Sequence, residues 1–285
     1  MAEATKEPGS NIHEWLWPAL FLICAAWFVW HLPAYILTFA PHENASQLAQ
    51  VTAIHASKDV TPNMAGLFGG MADPIDWLAL IGMPIFFWIG ARNIVIAPME
   101  FEHWRAWDRI ALFIGRATML MIITMTCVML YEVFLRYALE KPTKWANELT
   151  LWIAGFVFLC SGFYAMQQRT HIRIFILYDV MPRPVQKLFD TISTVMVVVF
   201  AVGLIFGSYK QVFITKFYKW EMFGTAFDPP IPATIQPMVL IVIALVAAQA
   251  VANLIADWNL EPEIHTSDDI DADELEAIKR SVGAD

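Results

Sequence analysis

Six stretches of the sequence contain no charged residue and consist mainly of apolar side chains. They cover residues 15–42, 77–91, 117–131, 149–168, 191–209 and 229–256. A helix needs about 20 mostly apolar residues to cross the hydrocarbon core of a bilayer. Four stretches reach that length or fall one residue short of it. The other two reach it by including Arg92 or Arg116, whose long side chains can extend to the lipid headgroups.

The sequence therefore predicts an all-α integral membrane protein with six transmembrane helices and short interfacial amphipathic helices. We place the six helices at about 15–40, 75–98, 110–137, 145–168, 186–217 and 232–257. The first is not a cleavable signal peptide, because it is long and bulky and has no small-residue cleavage site. The fifth exceeds the ~30 Å hydrocarbon core, so it has to tilt or project from the membrane.

The distribution of basic residues predicts the orientation. Six helices place both termini on one side, and if that side is cytoplasmic its segments carry eleven Lys and Arg residues against seven outside. Cytoplasmic loops are enriched in these residues. We therefore predict a multi-pass protein whose tails, residues 1–14 and 259–285, are both cytoplasmic.

Three segments outside the predicted helices have distinct characters. Residues 42–74 form a long external loop that ends in a stretch rich in glycine. Residues 99–109, "MEFEHWRAWDR", space aromatic residues among charges, which predicts a short helix in the membrane interface anchored by Trp104 and Trp107. Residues 172–189 also have an interfacial character, with two prolines that force a turn.

The net charge of −9 lies mainly at the C-terminus. Residues 257–285 hold ten acidic and two basic residues, so their net charge is −8 and that of the remaining chain is −1. A segment of this composition cannot bury enough apolar surface to fold alone. We interpret it as a solvated tail, and docking of a short helix from it onto a partner is the alternative.

The sequence carries no recognisable catalytic motif. Its three cysteines fall in separate apolar runs without a metal or redox spacing, and only His31 lies well inside an apolar run. Haem ligation across a bundle needs histidines on facing helices, so His31 is better explained by a hydrogen bond. Glu132 and Arg136 stand one helical turn apart and can neutralise each other, which favours a structural pair over a proton carrier.

A series of motifs runs through residues 132–182. A helix ends in E-x-x-x-R-Y, a short crossing contains proline, W-x-x-E-L opens the next helix, and a basic H-I-R segment precedes a connector with proline. The residues at these positions are Glu132, Arg136, Tyr137, Pro142, Trp145, Glu148, Leu149, His171, Ile172, Arg173 and Pro182. With these motifs, residues 110–258 resemble the small membrane subunit of tripartite ATP-independent periplasmic (TRAP) transporters, the DctQ-like family.

The resemblance implies a bacterial inner-membrane complex. In it a large DctM-like permease subunit carries the substrate and ion sites, and a periplasmic substrate-binding protein delivers a carboxylate for symport. This chain would be the non-catalytic small subunit that acts as a scaffold among membrane lipids, with no cofactor, no metal and no nucleic acid. A haem-bearing anchor of an oxidoreductase and a stand-alone channel or carrier are the alternatives.

The resemblance also implies a division of the chain and a set of site residues. In this division residues 110–258 would form a four-helix core. Residues 15–109 depart from the family pattern by adding two helices, and we hypothesise that these enlarge the scaffold or contact the binding protein through the loop 42–74. The candidates for structural or partner-interface roles are Glu132, Arg136, Tyr137, Pro142, Trp145, Glu148, His171 and Arg173.

Overall fold

The protein is a bundle of long helices in the computed structural model, which describes residues 12–39, 72–95, 97, 100, 105–169 and 181–259. The α-helices in these ranges are α1 (Ile12–Trp30), α2 (Leu32–Phe39), α3 (Pro74–Asn93), α4 (Asp108–Ala138), α5 (Ala146–Gln167), α6 (Arg183–Tyr209) and α7 (Ile231–Asp257). A π-helical segment, Lys210–Phe217, continues α6 without a break. The described chain contains no strand, which confirms the predicted all-α class.

Five helices are long and apolar enough to cross a membrane: α3, α4, α5, α6 with its π-helical continuation, and α7. Their positions agree with five of the six predicted helices. The first predicted helix, 15–40, is divided at His31 into α1 and α2, because Pro33 lacks the N–H that would continue the hydrogen-bond ladder. The apolar part of α1, Glu14–Trp30, is shorter than the others, so a sixth crossing stays a prediction.

The end of the second predicted helix was wrong. We expected a helix to residue 98, but α3 ends at Asn93 and Ile94 has an extended backbone. Ile94 and Val95 are β-branched and stand shortly before Pro98. Branched side chains favour extended backbone, and a proline disfavours helix in the residue before it.

Consecutive long helices run in opposite directions, so their ends meet in two polar layers. The starts of α1 and α4 meet the ends of α3 and α5 around Arg116. The start of α6 meets the end of α7 where Arg183 donates to the carbonyl oxygen of Asp257. We call this end of the bundle the predicted inner end and the opposite end the predicted outer end.

The helices pack in an order that sets which faces stay open. α1 and α3 pack against each other and both contact α4, and the cluster around Phe113 of α4 fills the space between the three helices. α5 packs between α4 and α7, where Phe163 and Val242 meet. α6 packs on α7 and buries only Gln186 and Ala201 along its own length. Together α6 and its π-helical continuation have 35 residues, about 50 Å, as the sequence predicted.

Candidate functional sites at the two ends of the bundle

Glu132 is held at the predicted outer end of α4 by two groups of donors. Its Oε1 accepts hydrogen bonds from Arg136, with Nη2 at 2.7 Å and Nε at 3.2 Å. Its Oε2 accepts from the backbone N of Thr143 at 3.0 Å and from the Thr143 hydroxyl. Glu132 is 2% exposed. The predicted Glu132–Arg136 pair is present, and the carboxylate also fixes the crossing between α4 and α5.

Glu148 fixes a second connection at the same end. Its Oε2 accepts hydrogen bonds from the Thr225 hydroxyl at 2.6 Å and from the backbone N of Phe227 and of Asp228, each at 3.1 Å. The loop that leads into α7 is therefore attached to the first turn of α5. The sequence placed Glu148 at a helix start but gave no sign of a loop some 80 residues away, because such contacts leave no local pattern.

The other residues of the predicted motif set have varied surroundings. Tyr137 is 78% exposed, Pro142 is exposed, and the Trp145 ring lies 6.3 Å from the ring of Tyr131. Trp107 is 41% exposed and belongs to a turn that leads directly into α4. His171, Arg173 and Trp104 lie outside the described residues, as do residues 99, 101–104 and 172–180 of the two predicted interfacial segments.

Arg116 lies in a buried cluster at the predicted inner end, which corrects our expectation that its side chain extends to the headgroups. Its guanidinium is bonded to both oxygens of Glu100, at 2.6 and 2.9 Å, and Nε donates to Glu14 at 2.8 Å. Nη2 also donates to the carbonyl oxygen of Val95, and the Tyr164 hydroxyl donates to Glu100 at 2.7 Å. The two carboxylates compensate the charge of the buried arginine, which would be costly to leave without a partner.

The electrostatics of this cluster keep Glu100 ionised. Burial alone would raise the pKa of Glu100, since it disfavours the charged form. Hydrogen bonds from Arg116, the backbone N of Ala97 and the Tyr164 hydroxyl outweigh this effect and lower the pKa below its ordinary value. We call the group formed by Glu14, Glu100, Arg116 and Tyr164 the Arg116 cluster.

Amides form a second polar contact near the same end. Gln249 of α7 is fully buried, and its Nε2 donates to Asp108 at 2.7 Å and to Asn253 at 2.9 Å. Asn253 in turn donates to the carbonyl oxygen of Met166 at 2.7 Å. These bonds join α4, α5 and α7. Sequence reasoning missed them, because an uncharged amide does not interrupt an apolar run.

The end of α7 is surrounded by basic side chains. Arg169 binds both carboxylate oxygens of Asp257 at 2.7 Å, and the Lys187 ammonium lies 5.0 Å from the centre of the Trp258 ring. Cations near a helix C-terminus complement its dipole. The three helices α5, α6 and α7 are therefore connected at the predicted inner end.

The N-terminal helices have their own polar contact at the predicted outer end. Asp76 is 3% exposed and accepts a hydrogen bond from the Trp27 indole at 2.9 Å. The His31 ring nitrogen Nδ1 lies 3.2 Å from the carbonyl oxygen of Trp27 and 3.6 Å from Asp76. His31 is thus engaged in polar contacts within the bundle, as we expected from the sequence.

The polar contacts described above join helices and connecting segments to one another. In the described ranges, no group of three or more His, Cys, Asp or Glu residues could hold a metal ion. The motif carboxylates Glu132 and Glu148 both accept hydrogen bonds from loop donors. The geometry therefore supports attachment of segments to one another.

One comparison with known proteins finds a match. Residues 125–259 match the family model described as tripartite ATP-independent periplasmic transporters, DctQ component. The match begins within α4 and ends just after α7, and it confirms the family resemblance of the sequence motifs. No curated protein and no solved structure matches the chain.

Proposed function

We propose that this chain, whose residues 125–259 belong to the DctQ component family, is the non-catalytic small membrane subunit of a TRAP transporter. It supports a large permease subunit during ion-gradient-driven uptake of an organic acid that a periplasmic binding protein delivers. In this proposal the chain lies in the bacterial inner membrane with both termini in the cytoplasm.

The observation that carries the proposal is the set of hydrogen bonds that the two motif carboxylates accept. Glu132 and Glu148 each accept hydrogen bonds from a neighbouring connection, Glu132 at the α4–α5 crossing and Glu148 before α7. A side chain that takes part in transport has to be able to exchange its partners for an ion or substrate. Carboxylates that accept hydrogen bonds from backbone N–H groups and hydroxyls of the connecting segments instead give the predicted outer end a fixed shape, which suits a scaffold.

The open face of α6 is the surface that we assign to the large subunit. This helix packs on α7 and leaves a long apolar face exposed. The exposed side chains include Leu188, Ile192, Val195, Met196, Val199, Phe200, Val202 and Phe206. The helix exceeds the hydrocarbon thickness by about 20 Å, so it can also contact a partner beyond the membrane.

The N-terminal helices extend the same scaffold. The Arg116 cluster joins α1 and the segment after α3 to α4 and α5 through buried charges. The added helices are therefore attached to α4 and α5 by buried polar contacts. We propose that they widen the rigid surface of the small subunit in the bilayer.

A crosslinking experiment tests the proposal. A photoreactive phenylalanine analogue at Phe206 of α6, which is 89% exposed, should crosslink to a co-expressed large permease subunit. The same analogue at Ile123 of α4, which is 56% exposed, is the matched control and should react with lipid only. Recovery of the tagged chain in mild detergent without any large membrane partner, together with no crosslink from Phe206, would contradict the proposal.

A further inference from the structure

Arg92 and Arg109 are held side by side where α3 ends and α4 begins. The guanidinium Nη1 of Arg109 donates to the carbonyl oxygen of Arg92 at 3.1 Å. The guanidinium carbon of Arg92 lies 4.4 Å from the centre of the Trp88 ring. Arg92 is exposed, and Trp88 is 59% exposed. This pair of helix ends therefore presents cations beside an open aromatic ring.

Arg105 adds a third cation close to the start of α4. It lies one turn before Arg109 in the turn that leads into α4, and the backbone N of Asp108 donates to its carbonyl oxygen at 3.0 Å. Its side chain is exposed, and so is the neighbouring Trp107. We call the surface formed by Trp88, Arg92, Arg105, Trp107 and Arg109 the arginine surface.

The described carboxylates near this surface already have partners. Glu100 is bound to Arg116 and Tyr164, and Asp108 accepts from Gln249 and from the backbone N of Arg105. Both acids are less than 8% exposed. Neither Arg92 nor Arg105 forms an ion pair with a carboxylate in the described part of the chain, and Glu102 lies outside it. Arg92 and Arg105 therefore keep their positive charges.

We propose that the arginine surface binds the phosphate headgroup of an anionic phospholipid. Guanidinium groups bind phosphate oxygens through paired N–H donors, and indole rings settle at the level of the headgroups. Clusters of basic residues at the ends of transmembrane helices attract anionic lipids. The site lies on residues 88–109, before the family match begins at residue 125, so it belongs to the N-terminal part of this chain.

The aromatic residues favour a lipid over other anionic ligands. Free phosphate in solution gains no apolar contact with the two exposed indole rings beside the cations. A phospholipid contacts the cations through its headgroup and the indole rings through its acyl chains. The acidic residues after 259 are the other anionic candidate, and they follow the end of α7 at the same end of the bundle. The experiment therefore includes both competitors.

Native mass spectrometry of the full chain can measure lipid retention after exchange into phosphatidylglycerol or phosphatidylcholine. We expect preferential retention of phosphatidylglycerol. The double variant Arg92→Gln, Arg105→Gln should reduce it by about fivefold for each arginine removed. The matched control Lys141→Gln, Lys144→Gln removes two exposed cations at the predicted outer end and should leave retention unchanged. Equal retention in the arginine variant and the unmodified chain would overturn the proposal.

Three further measurements separate the site from its competitors. The variant Arg92→Lys, Arg105→Lys keeps the charge but loses the paired N–H donors, so it should retain phosphatidylglycerol better than the glutamine variant and less well than the unmodified chain. Retention no better than that of the glutamine variant would show that positive charge does not hold the lipid and would overturn the proposal. Displacement of the lipid by inorganic phosphate at equal concentration would also overturn it. So would a chain that prefers phosphatidylglycerol only after residues 260–285 are removed, because the tail would then be the natural occupant.

Discussion

Phe113 of α4 lies directly against Gly90 of α3, so that a Cβ atom on Gly90 would come within 2.2 Å of the Phe113 ring. Phe113 is fully buried and contacts Phe21 and Phe87 through edge-to-face ring pairs. The close approach of α3 to α4 thus depends on glycine, which has no side chain, at position 90.

We expect Gly90→Ala to lower the free energy of unfolding by about 1–2 kcal/mol, because overpacking outweighs the gain in helix propensity. Thermal unfolding of the purified chain in detergent measures the change. Gly162→Ala in α5 is the matched control, since a Cβ atom there would meet nothing within 4 Å. A Gly90 variant as stable as the Gly162 variant would show that the two helices do not approach as described.

Removal of the guanidinium in Arg116→Gln should destabilise the protein by about 3–5 kcal/mol, because it leaves Glu14 and Glu100 without their buried partner. The comparison is Arg105→Gln, which removes an exposed arginine and should change the unfolding temperature little. If both variants unfold at the same temperature as the unmodified chain, the Arg116 cluster does not hold the helices together.

The Arg116 cluster also predicts how stability depends on pH. The pKa of Glu100 is lower in the folded protein than in the unfolded chain, so ionised Glu100 stabilises the fold. This contribution is fully present above the unfolded value, about 4.3, and is lost as the pH falls through the folded value. Unfolding temperatures between pH 3 and 7 should therefore fall less steeply at the acidic end for Glu100→Gln than for the unmodified chain. Parallel curves for the two proteins would contradict this linkage.

Glu132→Ala should loosen the crossing between α4 and α5, since it removes the acceptor for Thr143 and the partner of Arg136. Limited proteolysis at Lys141 and Lys144 should become faster, and less of the chain should be recovered with the large subunit that we propose as its partner. Glu132→Gln keeps one acceptor oxygen and should have a smaller effect. The control Glu140→Gln changes an exposed carboxylate in the same region. An abundant, fully assembled Glu132 variant without transport would instead indicate a direct role in transport.

Hydropathy predicted most of the fold, because a charge-free run of sufficient length leaves few alternatives to a membrane helix. The bounds of α4, α5 and α7 differ from the prediction by two residues or fewer at each end. The Glu132–Arg136 pair was predictable for a related reason, since its partners are four residues apart on one helix. In both cases the relevant information is local in the sequence.

The errors concern partners that are distant in the sequence. Arg116 was expected at the headgroups, because its position near the end of a run gives no sign of Glu14, which lies 102 residues away. Gln249 and Asp108, 141 residues apart, could not be paired for the same reason. Charges near the ends of apolar runs are the signal that the sequence offers for such contacts. This signal does not distinguish buried ion clusters from charged side chains at the surface.

The Arg116 cluster also bears on whether the chain can be dissected. The family match would suggest cutting the chain before residue 110 to obtain a minimal four-helix unit, but that cut removes both carboxylates that neutralise Arg116. The shortened protein would face lipid with an uncompensated cation, 3% exposed in the intact chain, and with a bare surface on α4. The family match is therefore shorter than the part of the chain that compensates the charge of Arg116.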